Sequence, residues 1–497
     1  MKLHAAIATL LGSSLLASAG FADGGYYSGT LGGRATGRAG AFAAKADDLS
    51  AVSYNPAGLT NIENTLVEVG NQASYNAYSY TRAATLDYGH PDAQGNPPLV
   101  QFDKVSNGKP WQALVPMVGA TSHLGRKDWA FALAAYAPPG ISQMSFPLDG
   151  GQHDGQRYMM LEREAIFLKY VAAAAWKYHD VFGVGATAEW IHVPRLKYSL
   201  LIDGSLFAGA ANPVSSDLDM KATMQGSALF TFNAILGAWY RPRPSLTFAL
   251  SGQVVPANLV THSTLTVTPL DQNLGYGTLV LTRNGSPAND VTVTLPLPLL
   301  ARAAARYRHL TGGSERFDVE LDLEYVTWSR VKRFTIETNK LEANYAGQIV
   351  PLNQINIEKH WRDTIAVRLG GDYAVMPGRL TLRAGGYFES GVAEPAYANV
   401  DFPGAAQFGG ALGASLFYRR FEIVAAYMLK LQPSVSVTES SARVYQQVPD
   451  SSCQAPYTDP NSCNPNYLGQ PAPAVNAGSY SASSHFLSLS VLYRYGL

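Results

Sequence analysis

Arg316-Phe317-Asp318-Val319-Glu320-Leu321-Asp322-Leu323-Glu324-Tyr325 alternates without a break. Successive side chains of an extended chain point to opposite sides. Phe317, Val319, Leu321, Leu323 and Tyr325 therefore share one face, and Asp318, Glu320, Asp322 and Glu324 share the other. The stretch before it does the same with the opposite charge. Arg302, Arg306 and Arg308 fall on one face, with Ala301, Ala303, Ala305 and Tyr307 opposite. Acidic and basic ladders on neighbouring strands can neutralise each other in an interior, where an isolated charge is costly. A soluble sandwich also alternates, but its strands are usually short, and several segments here run well past ten residues. The pattern points to a barrel with an apolar outside and a charged lumen.

Outward from this stretch, alternating segments of strand length cover 65–80, 112–123, 128–137, 161–178, 180–200, 219–240, 245–265 and 290–309, then 315–329, 361–376, 379–389, 409–419, 421–432 and 483–497. That makes fourteen, an even number, as an up-and-down bacterial barrel requires. In 361–376, Trp361, Ile365, Val367, Leu369, Tyr373 and Val375 oppose Arg362, Thr364, Arg368 and Asp372. The last segment alternates Leu487, Leu489, Val491, Tyr493, Tyr495 and Leu497 to the end. Every second connection is long: 81–110, 138–160, 199–218, 266–289, 330–360, 390–408 and 433–482. Long outer loops and short periplasmic turns are the habit of such barrels.

One stretch does not alternate. Asp23 to Leu59 is rich in Gly and Ala and short of large apolar residues. It suits a compact piece packed inside the tube. Ahead of it, Lys2, the apolar run Ala5–Leu16 and the small residues before Ala19 and Ala22 read as a secretory signal peptide. No other run has the ~20 apolar residues of a spanning helix. The domain reading is 1–22 signal peptide, with cleavage after Ala19 or Ala22, 23–63 N-terminal hatch, and 64–497 barrel. Charged residues make up only 15%, and Lys+Arg and Asp+Glu are both 37, so no nucleic-acid footprint is present. Cys453 and Cys463 lie in a Pro/Asn/Ser-rich loop, and an oxidising destination makes a local disulfide the simplest reading.

Four stretches carry a family resemblance: Tyr54-Asn55-Pro56-Ala57-Gly58-Leu59, Leu321-Asp322-Leu323-Glu324-Tyr325-Val326-Thr327-Trp328-Ser329, Trp361-Arg362-Asp363-Thr364 with Arg368-Leu369-Gly370-Gly371-Asp372-Tyr373, and Leu382-Arg383-Ala384-Gly385-Gly386-Tyr387. Together, in this order, they resemble the FadL/TodX family of outer-membrane transporters for hydrophobic compounds. The resemblance implies an all-β fold, a fourteen-stranded antiparallel transmembrane barrel with an N-terminal hatch in its lumen. It implies passive uptake of long-chain fatty acids or other hydrophobic compounds, with no cofactor. Substrate would be caught in an outer apolar groove, passed to an inner pocket, and released sideways into lipid through a kink in the third strand. The expected partners are the hydrophobic substrate, outer-membrane lipid and lipopolysaccharide, and the barrel assembly machinery. The expected form is a multi-pass monomer in the bacterial outer membrane. An aromatic-hydrocarbon channel of the same fold, or a lipid-acting barrel enzyme, are the alternatives. No Gly-x-Ser-x-Gly, His-Glu-x-x-His or phosphate loop is present.

Residue by residue, Asn55, Pro56 and Ala57 mark the passage from hatch to wall. Asn-Pro also favours an ordinary turn. Pro138, Pro139 and Gly140 end the third segment, where two prolines must break the ladder; the resemblance makes this the kink. Arg195, Lys197 and Arg362 fall on the lumen face by alternation, and the resemblance offers them to a carboxylate. His192 falls on the outward face unless a bulge intervenes. Phe42, Phe146, Leu206 and Phe207 are candidate apolar linings, from the hatch and from two long loops.

Overall fold

The computed structural model describes residues 30–86, 92–138, 143–149, 154–203, 219–270, 279–345, 348–402, 404–444 and 474–496. Fourteen antiparallel strands close into a barrel. They are β1 Thr65–Arg82, β2 Trp111–Ser122, β3 Trp129–Tyr136, β4 Met160–Tyr178, β5 Phe182–Asp203 and β6 Asp219–Arg243. Next comes β7, in two pieces, Leu246–Gln253 and Asn258–Pro269, then β8, also in two, Asp290–Pro296 and Leu300–Thr311. The series ends with β9 Ser314–Val326, β10 Thr364–Met376, β11 Leu380–Glu389, β12 Gln407–Tyr418, β13 Phe421–Val437 and β14 Gly478–Tyr495. Closure comes from β1 on β14, in continuous register from Thr65↔Tyr495 to Arg82↔Gly478. No described helix is long and apolar enough to cross a membrane.

The alternation of β9 is borne out face by face. Val319 is 46% and Leu323 48% exposed, while Glu320 is 0% and Asp322 1%. An apolar outside over a buried polar inside inverts the soluble pattern and suits contact with lipid. Aromatic residues mark both edges of the apolar band. At the long-loop end, Trp111, Tyr75 and His485 pack in series with tilted rings, 4.9 and 6.0 Å between ring centres. At the short-turn end, Phe421 packs 4.9 Å from Tyr493, and Tyr495 stands exposed. The ten residue steps from His485 to Tyr495, at about 3.3 Å each and tilted about 40°, span about 25 Å along the barrel axis, the height of the apolar band of an outer-membrane barrel.

Several expectations are corrected. The connection 330–360 is not an irregular loop. It holds a hairpin, Arg333–Tyr345 on Gln348–Glu358, which pairs with Val280–Arg283 and with β8 and extends the sheet beyond the wall. Its alternation is hidden because Asn339 and Lys340 sit at positive φ, 53° and 63°, where the register shifts. β7 and β8 are each broken, at Pro256 and at Pro298, since proline cannot donate to a ladder. Trp361 and Arg362 precede β10 rather than belonging to it, so alternation misplaces both: Trp361 is buried at 1%. The expected signal peptide, Pro139, Gly140, Leu206, Phe207, Cys453 and Cys463 lie outside the described residues.

Candidate functional site

The carboxylates of β9 do more than face the arginines of β8; they grip the N-terminal segment. From Thr30 to Asn61 this segment forms three short helical turns, Gly33–Gly37, Ala51–Tyr54 and Pro56–Asn61, and almost every residue is buried. The first turn packs on β11, β12, β13 and β14, and the last on β3, β4, β5 and β6. The segment thus touches opposite sides of the barrel from within.

Arg38 is the tightest joint. Its guanidinium is fully buried and lies 2.8 Å from Asp318 Oδ1, 2.9 Å from Glu320 Oε2 and 2.6 Å from Asp372 Oδ1. Burial opposes its charge, but Asp318, Asp372 and Glu320 outweigh burial and hold its pKa well above the ordinary arginine value. Lys45 Nζ adds contacts of 3.2 Å to Asp318 and to Glu315. Four consecutive backbone amides complete the grip. Phe42 and Ala43 each donate to Asp322 Oδ2 at 3.0 Å, and Ala44 and Lys45 donate to Glu320 Oε1 at 2.6 and 3.3 Å.

Asn55 fastens the other end. Its Oδ1 accepts from Ala57 N–H at 3.1 Å, capping the last turn, while its Nδ2 donates to Ala43 O at 3.0 Å and to Ala238 O on β6 at 3.1 Å. Pro56 then opens the turn at the position where its fixed φ suits and its missing N–H costs nothing. Trp239 Nε1 on β6 donates to Ala57 O at 3.0 Å. Small residues are needed on both sides of this seam: a Cβ on Gly58 would collide with the Ala46 carbonyl, and one on Gly237 of β6 with the Asn55 side chain.

Asp48 is the least comfortable group in the segment. Its Oδ1 accepts from Ser50 N–H and Oγ–H at 2.9 and 2.6 Å, but its buried Oδ2 has no hydrogen-bond partner among the described residues. Burial raises its pKa from 3.8 to about 6, with Arg34 and Ser50 only partly offsetting it. A carboxyl whose folded pKa lies above its unfolded value holds its proton more tightly when folded. Its penalty is absent below about pH 4, grows between pH 4 and 6, and is complete above. Asp48→Asn, which keeps the Oδ1 acceptor, is expected to raise the unfolding temperature at pH 7.5 and leave it nearly unchanged at pH 4. Thermal scans of the purified protein at both pH values check this; an equal shift at both would mean the carboxyl does not titrate in this window.

Two cavities border this arrangement. The inner one lies between the segment (Thr30, Leu31, Tyr54) and the wall (Tyr136, Trp328, Tyr387). Three cations line it, each already paired. Lys169 Nζ is 2.9 Å from Glu189, Arg302 Nε 2.6 Å from Glu324, and Arg368 Nη2 3.4 Å from Glu389. Each also lies near an aromatic ring: Lys169 with Tyr136, Arg302 with Tyr54, Arg368 with Tyr387. The outer cavity, at the long-loop end, is lined by Phe167, Leu196, Met224, Leu295, Ile336 and Phe402, with Arg163 and Tyr198 its polar members.

The basic residues expected from alternation are elsewhere. A register shift around Pro194 moves β5 out of phase, so that Leu196 and Tyr198 point inward. Arg195 and Lys197 therefore face outward, 3.2 Å from Glu164 and 2.5 Å from Glu162. Arg362 is 63% exposed and paired with Glu394 at 2.8 Å. His192, before the shift, faces outward beside Tyr170 and Trp190. Phe42 is buried behind Tyr54, 5.7 Å away ring to ring. Phe146 is buried in the large apolar cluster at the long-loop end. Pro138 is buried and lines the inner cavity. Arg302 and Arg368 carried a signal, their place on the polar faces of β8 and β10; Lys169 and Phe402 had none that alternation alone could isolate. Among the described residues no group of His, Cys, Asp or Glu could hold a metal ion.

The fold is shared with solved structures. A FadL homologue from Pseudomonas aeruginosa is 18% identical, with a TM-score of 0.70 over 96% of this chain and 100% of that one. The Pseudomonas putida toluene transporter TodX is 12% identical, with a TM-score of 0.59 over 95% and 99%. The Ralstonia pickettii toluene transporter TbuX is 14% identical, with a TM-score of 0.55 over 94% and 98%. No curated protein sequence matches. The family model described as outer membrane protein transport protein (OMPP1/FadL/TodX) matches residues 10–451. A barrel of fourteen strands, lipid-facing outside and charged within, and matched over most of its length, belongs to the OMPP1/FadL/TodX family of outer-membrane transport proteins.

Proposed function

We propose that this outer-membrane transporter of hydrophobic compounds takes long-chain amphiphiles, fatty acids foremost, and carries them passively. The observation that carries the choice is the contrast between its two cavities. The outer cavity is apolar, and the inner one sets Lys169, Arg302 and Arg368 among apolar and aromatic walls. An apolar tail gains in both places. A carboxylate head gains more in the second, by sharing the cations now held by Glu324 and Glu389, than beside the single Arg163 of the first, which already donates to the Asp401 carbonyl. A neutral hydrocarbon would leave those pairs untouched and gain less from the inner cavity. Toluene, which the names of TodX and TbuX give as their cargo, would be the second reading; the apolar outer cavity suits it equally.

In this reading the segment 23–63 is the hatch, and the exit is lateral. β3 has only eight residues and pairs with β2 only from Met117 to Ser122. Its end at Tyr136 and Pro138 borders the inner cavity, so a short wall strand stands where cargo could leave into lipid. The chain acts as a channel and not as an enzyme.

The experiment compares oleate with methyl oleate in purified protein. Wild type is expected to bind oleate more tightly. Arg302→Gln leaves Glu324 its contact with Arg368, and is expected to weaken oleate about tenfold, from the loss of one charge-assisted bond of about 1.5 kcal/mol. Methyl oleate should change by less than about twofold, since it makes no such bond. Equal weakening of both would make Arg302 structural. Equal wild-type binding of acid and ester would remove the carboxylate reading.

A further inference from the structure

The two cavities meet at one aromatic cluster. Phe334 and Phe402 line the outer cavity, and Trp328 lines the inner one. Trp361 touches all three, with ring centres 5.3 Å from Trp328, 5.9 Å from Phe334 and 5.5 Å from Phe402. Every contact is edge to face, at 83° to 86°, and Phe334 meets Phe402 in the same way at 6.1 Å. A molecule leaving the outer cavity for the inner one through this cluster must displace a ring.

We infer that Phe402 is the moving leaf of an internal gate between the cavities, and that the size of the opening it makes sets which hydrophobic compounds pass; this rests on the transport reading above. The four rings are not equally free to move. Trp328 and Trp361 are each 1% exposed, and Phe334 lies on a strand opposite Ile357. Phe402 is half-buried and sits in the irregular connection between β11 and β12, where it forms an isolated bridge with Asn399 rather than part of a ladder.

The backbone beneath that ring is nonetheless fixed. Arg163 donates to Asp401 O at 2.7 Å, and Asp401 Oδ2 accepts from Tyr198 Oη–H at 3.2 Å and from Lys359 Nζ. Phe402 N–H donates to Asp401 Oδ1 at 2.8 Å. The ring itself is held by softer contacts: the Arg163 guanidinium 4.1 Å over its face, Lys359 Nζ at 5.7 Å, and two ring edges. Such contacts, the buried Arg163 stack the strongest among them, are looser in angle than hydrogen bonds. A ring on a pinned backbone turns about its own side-chain bonds, so opening needs no movement of the wall.

The test measures initial influx of pyrene, a rigid four-ring hydrocarbon, and of oleate into proteoliposomes holding the full-length protein. Phe402→Leu and Phe402→Trp are compared with wild type, and folding is checked by the mobility shift on heating in detergent. The leucine variant is expected to raise the pyrene-to-oleate influx ratio about threefold or more, and the tryptophan variant to lower it. A ratio unchanged in both, or moved in the same direction by both, overturns the gate, because a ring with only a packing role would suffer alike from either change. Wild type carrying neither compound overturns the transport reading itself, whereas wild-type transport with an unmoved ratio overturns the gate alone.

Discussion

Arg38→Met is expected to lower the unfolding temperature of the purified barrel sharply and to admit small hydrophilic solutes. The substitution preserves length and apolar stem but leaves Asp318, Glu320 and Asp372 facing one another with their shared cation gone. Lys45 and Arg306 still reach Asp318, and Arg383 still reaches Asp372. Glu320 keeps its backbone amides but, among the described residues, loses its one cation, and is the most exposed to the loss. Removing one partner from a buried charge cluster typically costs about 3–5 kcal/mol, chiefly because the remaining charges stay buried and unpaired. The double change Arg38→Met with Glu320→Gln is expected to recover part of the stability, since the orphaned charge goes too. Differential scanning calorimetry and a dye-efflux assay in proteoliposomes report the two effects. A fully stable, sealed Arg38→Met barrel would show that the backbone bonds of residues 42–45 suffice.

Gly385→Leu is expected to dislodge the same joint without touching a charge. On the lumen side of β11, a Cβ at this position would collide with the Arg38 carbonyl group, which is backbone and cannot swing aside. The added side chain therefore forces residues 38–39 away, and the contacts of Arg38 with Asp318, Glu320 and Asp372 are lost together. The wall keeps its ladder, because β11 pairs in unbroken register with β12 from Leu380 to Glu389. The expected outcome is a barrel that still shifts on heating in detergent, with dye leakage and an unfolding temperature like those of Arg38→Met. Limited proteolysis that now cleaves between Arg38 and Lys45 would locate the change. A variant sealed and protease-resistant like wild type would mean the segment can slide to accept the side chain.

The wall was legible because its physics is periodic. In Phe317–Tyr325 every second residue reports its surroundings, and the reading survives in full. It failed wherever the period slips. One register shift at Pro194 turned Arg195 and Lys197 outward, since a slip of one residue exchanges the two faces of a strand. Trp361 and Arg362 looked like the start of β10 but precede it. The N-terminal segment was legible as something enclosed, from its small residues, but not as to what holds it. The missing signal was arithmetic. Asp318, Glu320, Asp322 and Glu324 outnumber Arg302, Arg306 and Arg308, and Arg34, Arg38 and Lys45, set in a run of Gly and Ala, were the available cations. Phe402 had no sequence signal, because its role comes from two cavities that only the folded chain brings side by side.

The account turns on directed passage of an amphiphile through the two cavities. Uptake of labelled oleate by cells lacking their own outer-membrane fatty-acid transporter tests it most directly, with this chain or an empty vector expressed. The account predicts saturable uptake with the chain present, reduced by Arg302→Gln and unchanged by Arg362→Ala. Uptake equal to the empty vector, or equally lowered by both substitutions, would contradict it.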